Sequence, residues 1–361
     1  MGFTCGIIGL PNVGKSTLFN ALTETNNAEA ANYPFATIEP NIGRVAVPDT
    51  RLENLVEIAK SKKTIPAYMD FVDIAGLVRG ASKGEGLGNK FLSHIREVDV
   101  IVHLVRCFED ENITHVSGKI NPANDIEIIT TELKLADIET LENKKITLEK
   151  KSKQGDKDIK HKLIIIEQII NQLNNNEKII NESTEFTNSL NLISLKPMLY
   201  VCNVDEKSVI SGNEYSQIVQ NLAKDELNDA VIISASIESQ IAELENNADK
   251  LELIKEMGLN ETTLNKLIIA GYNLLELINF FTCGPKETRS WTIKKNTSAP
   301  YAAGKIHSDF EKGFIRAETI SYEDYINFNG EAGSREAGKL RQEGRDYVVK
   351  DGDIMHFLFN I

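Results

Sequence analysis

The sequence predicts an α/β fold: a parallel sheet covered by helices, interrupted by an inserted helical hairpin and followed by a small β-rich α+β domain. Three observations predict it. Apolar runs at 3–8, 68–74, 98–105, 198–202 and 230–233 alternate with helical stretches, as expected of parallel strands buried on both faces. From about Asp125 to Leu195 there is one glycine, Gly155, and no proline. From about Asn279 onward glycines become frequent and the strand patterns turn short and alternating.

Taken in order, Phe-Thr-Cys-Gly-Ile-Ile at 3–8 reads as a buried strand, and a helix follows around Leu18 to Leu22. Tyr68 to Ile74 and Val98 to Val105 are further strands. In the interruption, two helices are expected at 125–153 and 157–182, joined at Gln154-Gly155-Asp156. Ile159, Leu163, Ile166, Ile170 and Leu173 fall at spacings of 4, 3, 4 and 3, a heptad seam about two heptads long. Two such helices with a tight turn make a coiled-coil hairpin. The sheet pattern resumes at Met198, so the hairpin is an insertion. The expected division is a discontinuous domain of 1–124 and 197–277, a hairpin at 125–196, and a C-terminal domain at 278–361 with strands near 287–293, 314–320 and 353–360.

The 361 residues suggest two or three domains, and a formal charge of −13 argues against non-specific binding to naked DNA. Residues 278–361 carry 12 basic and 12 acidic side chains, so the excess negative charge lies upstream. Around the hairpin turn the sign reverses. Eight lysines stand against three acids between Lys144 and Lys162, net +5. Such a tip is either a solvated helix end or a contact for RNA phosphates. Cys5, Cys107, Cys202 and Cys283 are scattered with no Cys-x-x-Cys spacing, which excludes a disulfide framework and fits a reducing cytosol. No basic leader and no apolar run of about 18 residues is present. The expectation is a cytoplasmic monomer with no membrane and no sequence-specific DNA partner.

Gly9-Leu-Pro-Asn-Val-Gly14-Lys15-Ser16 matches the P-loop pattern between a strand and a helix. Its glycines let main-chain N–H groups curl around phosphates, Lys15 adds a point charge, and the helix N-terminus adds its dipole. The Ser16 hydroxyl is placed to ligate Mg²⁺. Asp73-Ile-Ala-Gly76 follows a strand, so Asp73 can hold Mg²⁺ and the Gly76 N–H can approach a γ-phosphate. Thr37, in a loop between the first helix and the second strand, is a further Mg²⁺ ligand that would sense the γ-phosphate. The P-loop residues Asn12, Val13, Gly14, Lys15, Ser16 and Thr17, together with Gly76, Asn203, Val204, Glu206 and Ser234, form the expected nucleotide-binding set.

Asn203-Val204-Asp205-Glu206 follows the strand at 198–202. GTPases place Asn-Lys-x-Asp here, and the Asp carboxylate accepts both N1–H and the 2-amino group of guanine. Glu206 is one methylene longer, so the same bidentate pair cannot form without displacement. Losing a matched pair costs several kcal/mol of discrimination when buried groups go unpaired. ATP is therefore accepted, and GTP bound more weakly, with Val204 against the base.

Together these residues resemble the YchF, or Obg-like ATPase, family. The resemblance covers essentially the whole chain, most specifically 1–17, 71–89 (Phe-Val-Asp-Ile-Ala-Gly-Leu-Val-Arg-Gly-Ala-Ser-Lys-Gly-Glu-Gly-Leu-Gly-Asn) and 303–319. It implies a P-loop G domain, an inserted helical coiled coil and a C-terminal ubiquitin-like TGS domain. It also implies a ribosome-associated ATPase that can bind GTP. Asn203 to Glu206 correspond to the family's altered Asn-x-x-Glu motif.

Leu77 stands where many GTPases have a water-orienting glutamine, and its side chain has no donor or acceptor. The family implies a catalytic histidine in Asn112-Ile-Thr-His115, and His115 could orient water or accept a proton. Asn12 is a second candidate, since related GTPases with asparagine here hold K⁺ beside the phosphates; the alternative is a turn residue chosen for its backbone tolerance. The expected function is an ATP-hydrolysing, translation-associated factor, slow without an activator, that contacts the ribosome, on the large-subunit surface or ribosomal RNA, through the hairpin tip or the C-terminal domain. A GTP-dependent switch and a ribosome-binding adaptor with negligible turnover are the alternatives.

Overall fold

The computed structural model describes residues 3–24, 41–74, 87–113, 119–152, 156–177, 179 and 184–360. Among them, strands β1 (Phe3–Ile8), β2 (Asn41–Ala46), β3 (Thr64–Ile65), β4 (Tyr68–Asp73), β5 (Val100–Arg106), β6 (Met198–Asn203), β7 (Asp229–Ile233), β8 (Leu277–Cys283), β9 (Thr288–Lys294), β10 (Phe314–Ile320), β11 (Arg341–Glu343) and β12 (Ile354–Phe359) form two sheets. The helices of the first part are α1 (Lys15–Glu24), α2 (Thr50–Ala59), α3 (Leu87–Glu97), α4 (Pro122–Ser152), α5 (Lys157–Asn174), α6 (Glu185–Ser189) and α7 (Glu214–Asp225). Those of the second part are α8 (Ala235–Glu243), α9 (Asn247–Glu256), α10 (Thr263–Leu274), α11 (Ala299–Ile306), α12 (Ser308–Lys312), α13 (Tyr322–Asn327) and α14 (Glu331–Glu336).

The first sheet has the order β2-β4-β1-β5-β6-β7. All neighbours run parallel except β2, which pairs antiparallel with β4 at the edge. Every residue of β5 is buried, because helices cover both faces of a parallel sheet and leave no polar side. The edge strand is pinned by a bidentate pair, Arg44 Nε and Nη2 to the two oxygens of Asp70 at 2.7 and 2.9 Å. Cys5, Cys107 and Cys202 are free thiols buried in the core, as their apolar surroundings predict.

The hairpin is asymmetric. α4 has 31 residues and α5 has 18, so the second helix stops well before the expected residue 182. The reason is local. Asn176 adopts φ 57°, and the Glu177 and Asn176 N–H groups donate to Gln172 O at 2.9 Å and Leu173 O at 3.3 Å. These two bonds make a Schellman stop with asparagine in the left-handed position. Ile166, Ile169 and Leu173 are the buried positions of α5, packing with Leu141 and Leu148 of α4. Leu190 and Leu192 close the base of this small core. Asp137, fully buried, closes the hairpin base by accepting from Ile193 N (3.0 Å), Ser194 N (2.8 Å) and Ser194 Oγ (2.5 Å), and Arg96 of α3 at 3.4 Å ties it to the sheet domain.

The second sheet has the order β11-β10-β12-β8-β9-β3. The expected strands at 287–293 and 353–360 lie at β9 and β12 within a residue of those limits. One strand was not expected there. β3 comes from between β2 and β4 and pairs parallel with β9, Thr64 opposite Thr288. The preceding helix α2 follows it onto the same sheet, burying Leu52 and Leu55 against Phe281, Ile320, Tyr325 and Ile354. Arg51 bridges Asp49 at 2.8 Å and Asp351 at 2.7 Å, and Ser61 Oγ donates to Gly284 O at 2.7 Å. Residues 50–65, assigned by sequence to the N-terminal domain, therefore share the core of the C-terminal one. Among the described residues, no helix is long and apolar enough to cross a membrane.

Candidate nucleotide site

The carboxyl ends of β1, β5, β6 and β7 converge on a cavity of about 870 Å³, where open parallel sheets place their ligands. The loop from β1 into α1 forms one wall through Asn12, Gly14, Lys15, Ser16 and Thr17. Asn12 and Gly14 both hold left-handed backbone, φ 63° and 98°. Gly14 is required twice over, since a Cβ there would also stand 2.5 Å from Asn203 Nδ2. Val13 differs from its neighbours. Its side chain is in the core at 1% exposure, so what it can offer a phosphate is main chain.

Lys15 starts α1 at the mouth of the cavity. Burial lowers its pKa from the ordinary 10.5, and the nearby Asp73 carboxylate opposes that shift. Asp73 ends β4, in register with Ile7 of β1. Its Oδ1 is buried and accepts no hydrogen bond from the described residues. A carboxylate oxygen without a donor, beside a P-loop lysine, fits a divalent cation.

The opposite wall is Asn203, Val204, Asp205, Glu206 and Lys207, with Ala235 and Ser236. Asn203 is 4% exposed and acts as a brace rather than an open base contact. Its Nδ2 donates to Val13 O at 2.9 Å, and its Oδ1 accepts from Ala235 N at 3.0 Å. One amide thus locks the P-loop to the β7–α8 junction. Val204 borders the cavity, but its side chain is 2% exposed and packs with Tyr200, Cys202 and Val209. Asp205 caps the turn at 206–208 with one carboxylate oxygen, Oδ1 accepting from Ser208 N at 2.9 Å. Glu206 lines the same wall, its Oε1 held by Gln240 Nε2 at 2.9 Å.

Ser234 lies behind this wall. It is fully buried at the start of α8 with its Oγ 3.1 Å from Ser236 Oγ, and the cavity is lined instead by the next two residues, Ala235 and Ser236. The third wall is the loop after β5, with Phe108, Glu109, Asp110 and Ile113. Sequence reading missed its organiser. Arg106, 2% exposed, donates to the carbonyls of Phe108, Asp110 and Ile113 at 3.2, 3.3 and 3.0 Å. Tyr215 OH adds a bond to Glu109 at 2.6 Å. Thr37, Gly76, Leu77 and His115 lie outside the described residues.

A P-loop against a braced base-side corner at the carboxyl edge of a parallel sheet defines a P-loop nucleoside triphosphatase of the GTPase type. Residues 4–144 match a family model described as a 50S ribosome-binding GTPase, and residues 277–360 match the C-terminal model of YchF-type GTPases, described as a protein of unknown function. The chain is 54% identical, over the full length of both proteins, to the "Ribosome-binding ATPase YchF" of Escherichia coli O157:H7. It is 51% identical, again over both full lengths, to the protein of that name from Bacillus subtilis. The solved YchF GTPase of Schizosaccharomyces pombe superposes with a TM-score of 0.87 at 39% identity, covering 99% of this chain and 98% of that one. The chain belongs to the YchF family.

Proposed function

We propose that the chain is a ribosome-associated ATPase that binds ATP in preference to GTP. The observation that carries this reading is Glu206. It is the base-side acid at the motif position, it is one methylene longer than the aspartate that reads guanine, and its Oε1 is held by Gln240. The names of the relatives support both the ATPase activity and the ribosome as partner.

In this reading Lys15 and the P-loop main chain hold the phosphates, and Asn203 keeps the two halves of the site in register. Ser16, Thr37 and Asp73 would hold Mg²⁺, which when bound neutralises charge developing on the phosphates. Gly76 contributes an N–H to the γ-phosphate. His115 orients the attacking water in place of the glutamine that Leu77 lacks. Asn12 has a φ of 63°, a conformation asparagine tolerates without a cation, so the K⁺ role rests on whether potassium accelerates turnover relative to sodium. The three-part division at 1–124 with 197–277, 125–196 and 278–361 belongs to the same proposal, amended for residues 50–65. The protein acts as a cytoplasmic monomer that reaches the ribosome through its hairpin tip or C-terminal domain.

Titration with ATP and GTP, with and without ribosomes, tests the reading. The expected result is tighter ATP binding and ribosome-stimulated ATP turnover. Equal or tighter GTP binding would overturn it. His115→Ala should slow hydrolysis while leaving ATP affinity within about threefold, because a group acting in the transition state adds little ground-state binding.

A further inference from the structure

We infer that Gln240, together with Ser236, sets the nucleobase preference of the cavity by occupying one of the two oxygens of Glu206. The inference rests on the reading of Glu206 as the base-side acid and adds to it a residue outside the cavity wall. Gln240 sits on the second turn of α8, 34 positions beyond Glu206, and is not among the residues lining the cavity.

The chemistry of the bond fixes its direction. An ionised carboxylate only accepts, so the Gln240 side chain must present its amino group to Glu206 Oε1, at 2.9 Å. The Ser236 hydroxyl donates to the same oxygen at 3.5 Å. The Ser236 hydroxyl also lies 3.1 Å from Ser234 Oγ, where either hydroxyl can donate. Each carboxylate oxygen has two lone-pair sites, and Oε1 has two donors. Oε2 takes no hydrogen bond from the described residues. Asp205 has one oxygen, Oδ1, engaged by Ser208 N at 2.9 Å.

Glu206 therefore offers a base one carboxylate oxygen free of donors from the described residues. Guanine presents two adjacent donors, N1–H and the 2-amino group, and needs two acceptors side by side. Adenine presents one donor, the 6-amino group, beside an unprotonated N1. A single free oxygen satisfies adenine and leaves one guanine donor unpaired, a mismatch that binding sites discriminate strongly. The selectivity thus resides in the pair that holds Glu206 as much as in Glu206 itself. Gln240 and Ser236 are positioning residues in this scheme.

The test titrates full-length protein with ATP, GTP, ITP and inorganic tripolyphosphate. ITP carries N1–H but lacks the 2-amino group, and tripolyphosphate has no base. Gln240→Ala combined with Ser236→Ala should lower the ATP-to-GTP affinity ratio about tenfold, equivalent to about 1.4 kcal/mol. The parent should bind ITP more tightly than GTP, because GTP alone carries an unpaired 2-amino donor, whereas the variant should close or reverse that gap, because a second oxygen has been released for the 2-amino group. Tripolyphosphate affinity should stay constant, which reports an intact P-loop and a folded protein. A merely structural role would weaken all four ligands together and would overturn the inference. An ATP-to-GTP ratio unchanged within about twofold, while Glu206→Ala does move it, would also overturn it. A ratio that Glu206→Ala leaves unchanged as well would instead remove the base-side reading on which the inference stands.

Discussion

The base-side corner of the cavity and the tip of the hairpin are both polar, yet they are built on opposite principles. In the corner, side chains are tied across long sequence separations. Asn203 reaches Val13 across 190 positions, and Gln240 reaches Glu206 across 34. Around the tip, the ion pairs are local or rim-like. Lys162 meets Asp158 one helical turn away at 2.5 Å, and Lys145 meets Glu167 of the facing helix at 2.8 Å. Exposed pairs of this kind contribute little to stability. The purine discrimination proposed for the corner would need fixed positions, whereas the phosphate contact proposed for the tip would need only charge.

The largest effect that would break this contrast is expected in the corner. Asn203→Ala removes two buried hydrogen bonds and leaves Val13 O and Ala235 N without that partner. The cost should be about 2–4 kcal/mol in unfolding free energy, with a parallel loss of nucleotide affinity, measured by denaturant titration and by binding. A loss under about 0.5 kcal/mol would show that the corner tolerates slack as the tip does.

Acid provides the next test. His103, buried in β5 beside Tyr200 at 5.5 Å, has its pKa lowered to about 3 by burial, from an ordinary 6.5. Between these two values the unfolded chain binds a proton that the folded one refuses. Stability from this group should be intact above about pH 6.5 and lost as the pH falls toward 3. His103→Gln should flatten that limb of the stability curve, provided the amide is accommodated; an unchanged acid limb would assign it to carboxylates.

At the tip the expected change is in binding and not in folding. Lys150, Lys151 and Lys157 reversed to Glu should weaken ribosome co-sedimentation and reduce its salt dependence, since each phosphate contact releases a counterion. The melting temperature should stay within a degree or two of the parent, as for most surface substitutions. Ribosome binding unchanged at low and moderate salt would make the tip a solvated helix end. The smallest effect concerns Lys15. Because a bound anion favours its charged form, phosphate affinity should decline as alkaline pH passes its lowered pKa. Tripolyphosphate titration up to about pH 10 would show the decline beginning earlier than for an ordinary lysine.

These regions also differ in how much of them could be read from sequence. The P-loop and the Asn203–Glu206 corner were legible because their residues are contiguous and their chemistry is particular. That Ser236 and not Ser234 lines the cavity could not be read locally, because both flank the same turn and only packing decides which is buried. Gln240 and Arg106 carried no signal, since a glutamine on an exposed helix face and an arginine ending a strand are ordinary until the fold brings their partners near. The end of α5 was readable in Asn174-Asn175-Asn176, where the heptad seam also ends at Leu173, although the helix was expected to run on to 182. The union of 50–65 with the C-terminal sheet had no local signature, because its partners lie some 220 to 300 residues away.

That union has a practical consequence for anyone dissecting the protein by truncation. Stopping the chain before β8 would strip the cover from Leu52 and Leu55 and leave β3 without its neighbour β9. Those residues form the only covalent route from β2 to β4, the strand that ends in Asp73. A shortened protein would therefore carry a newly exposed apolar face within its own nucleotide-binding half. Lost activity in such a fragment would measure that injury together with the missing domain, and solubility would fail before the catalytic question could be asked.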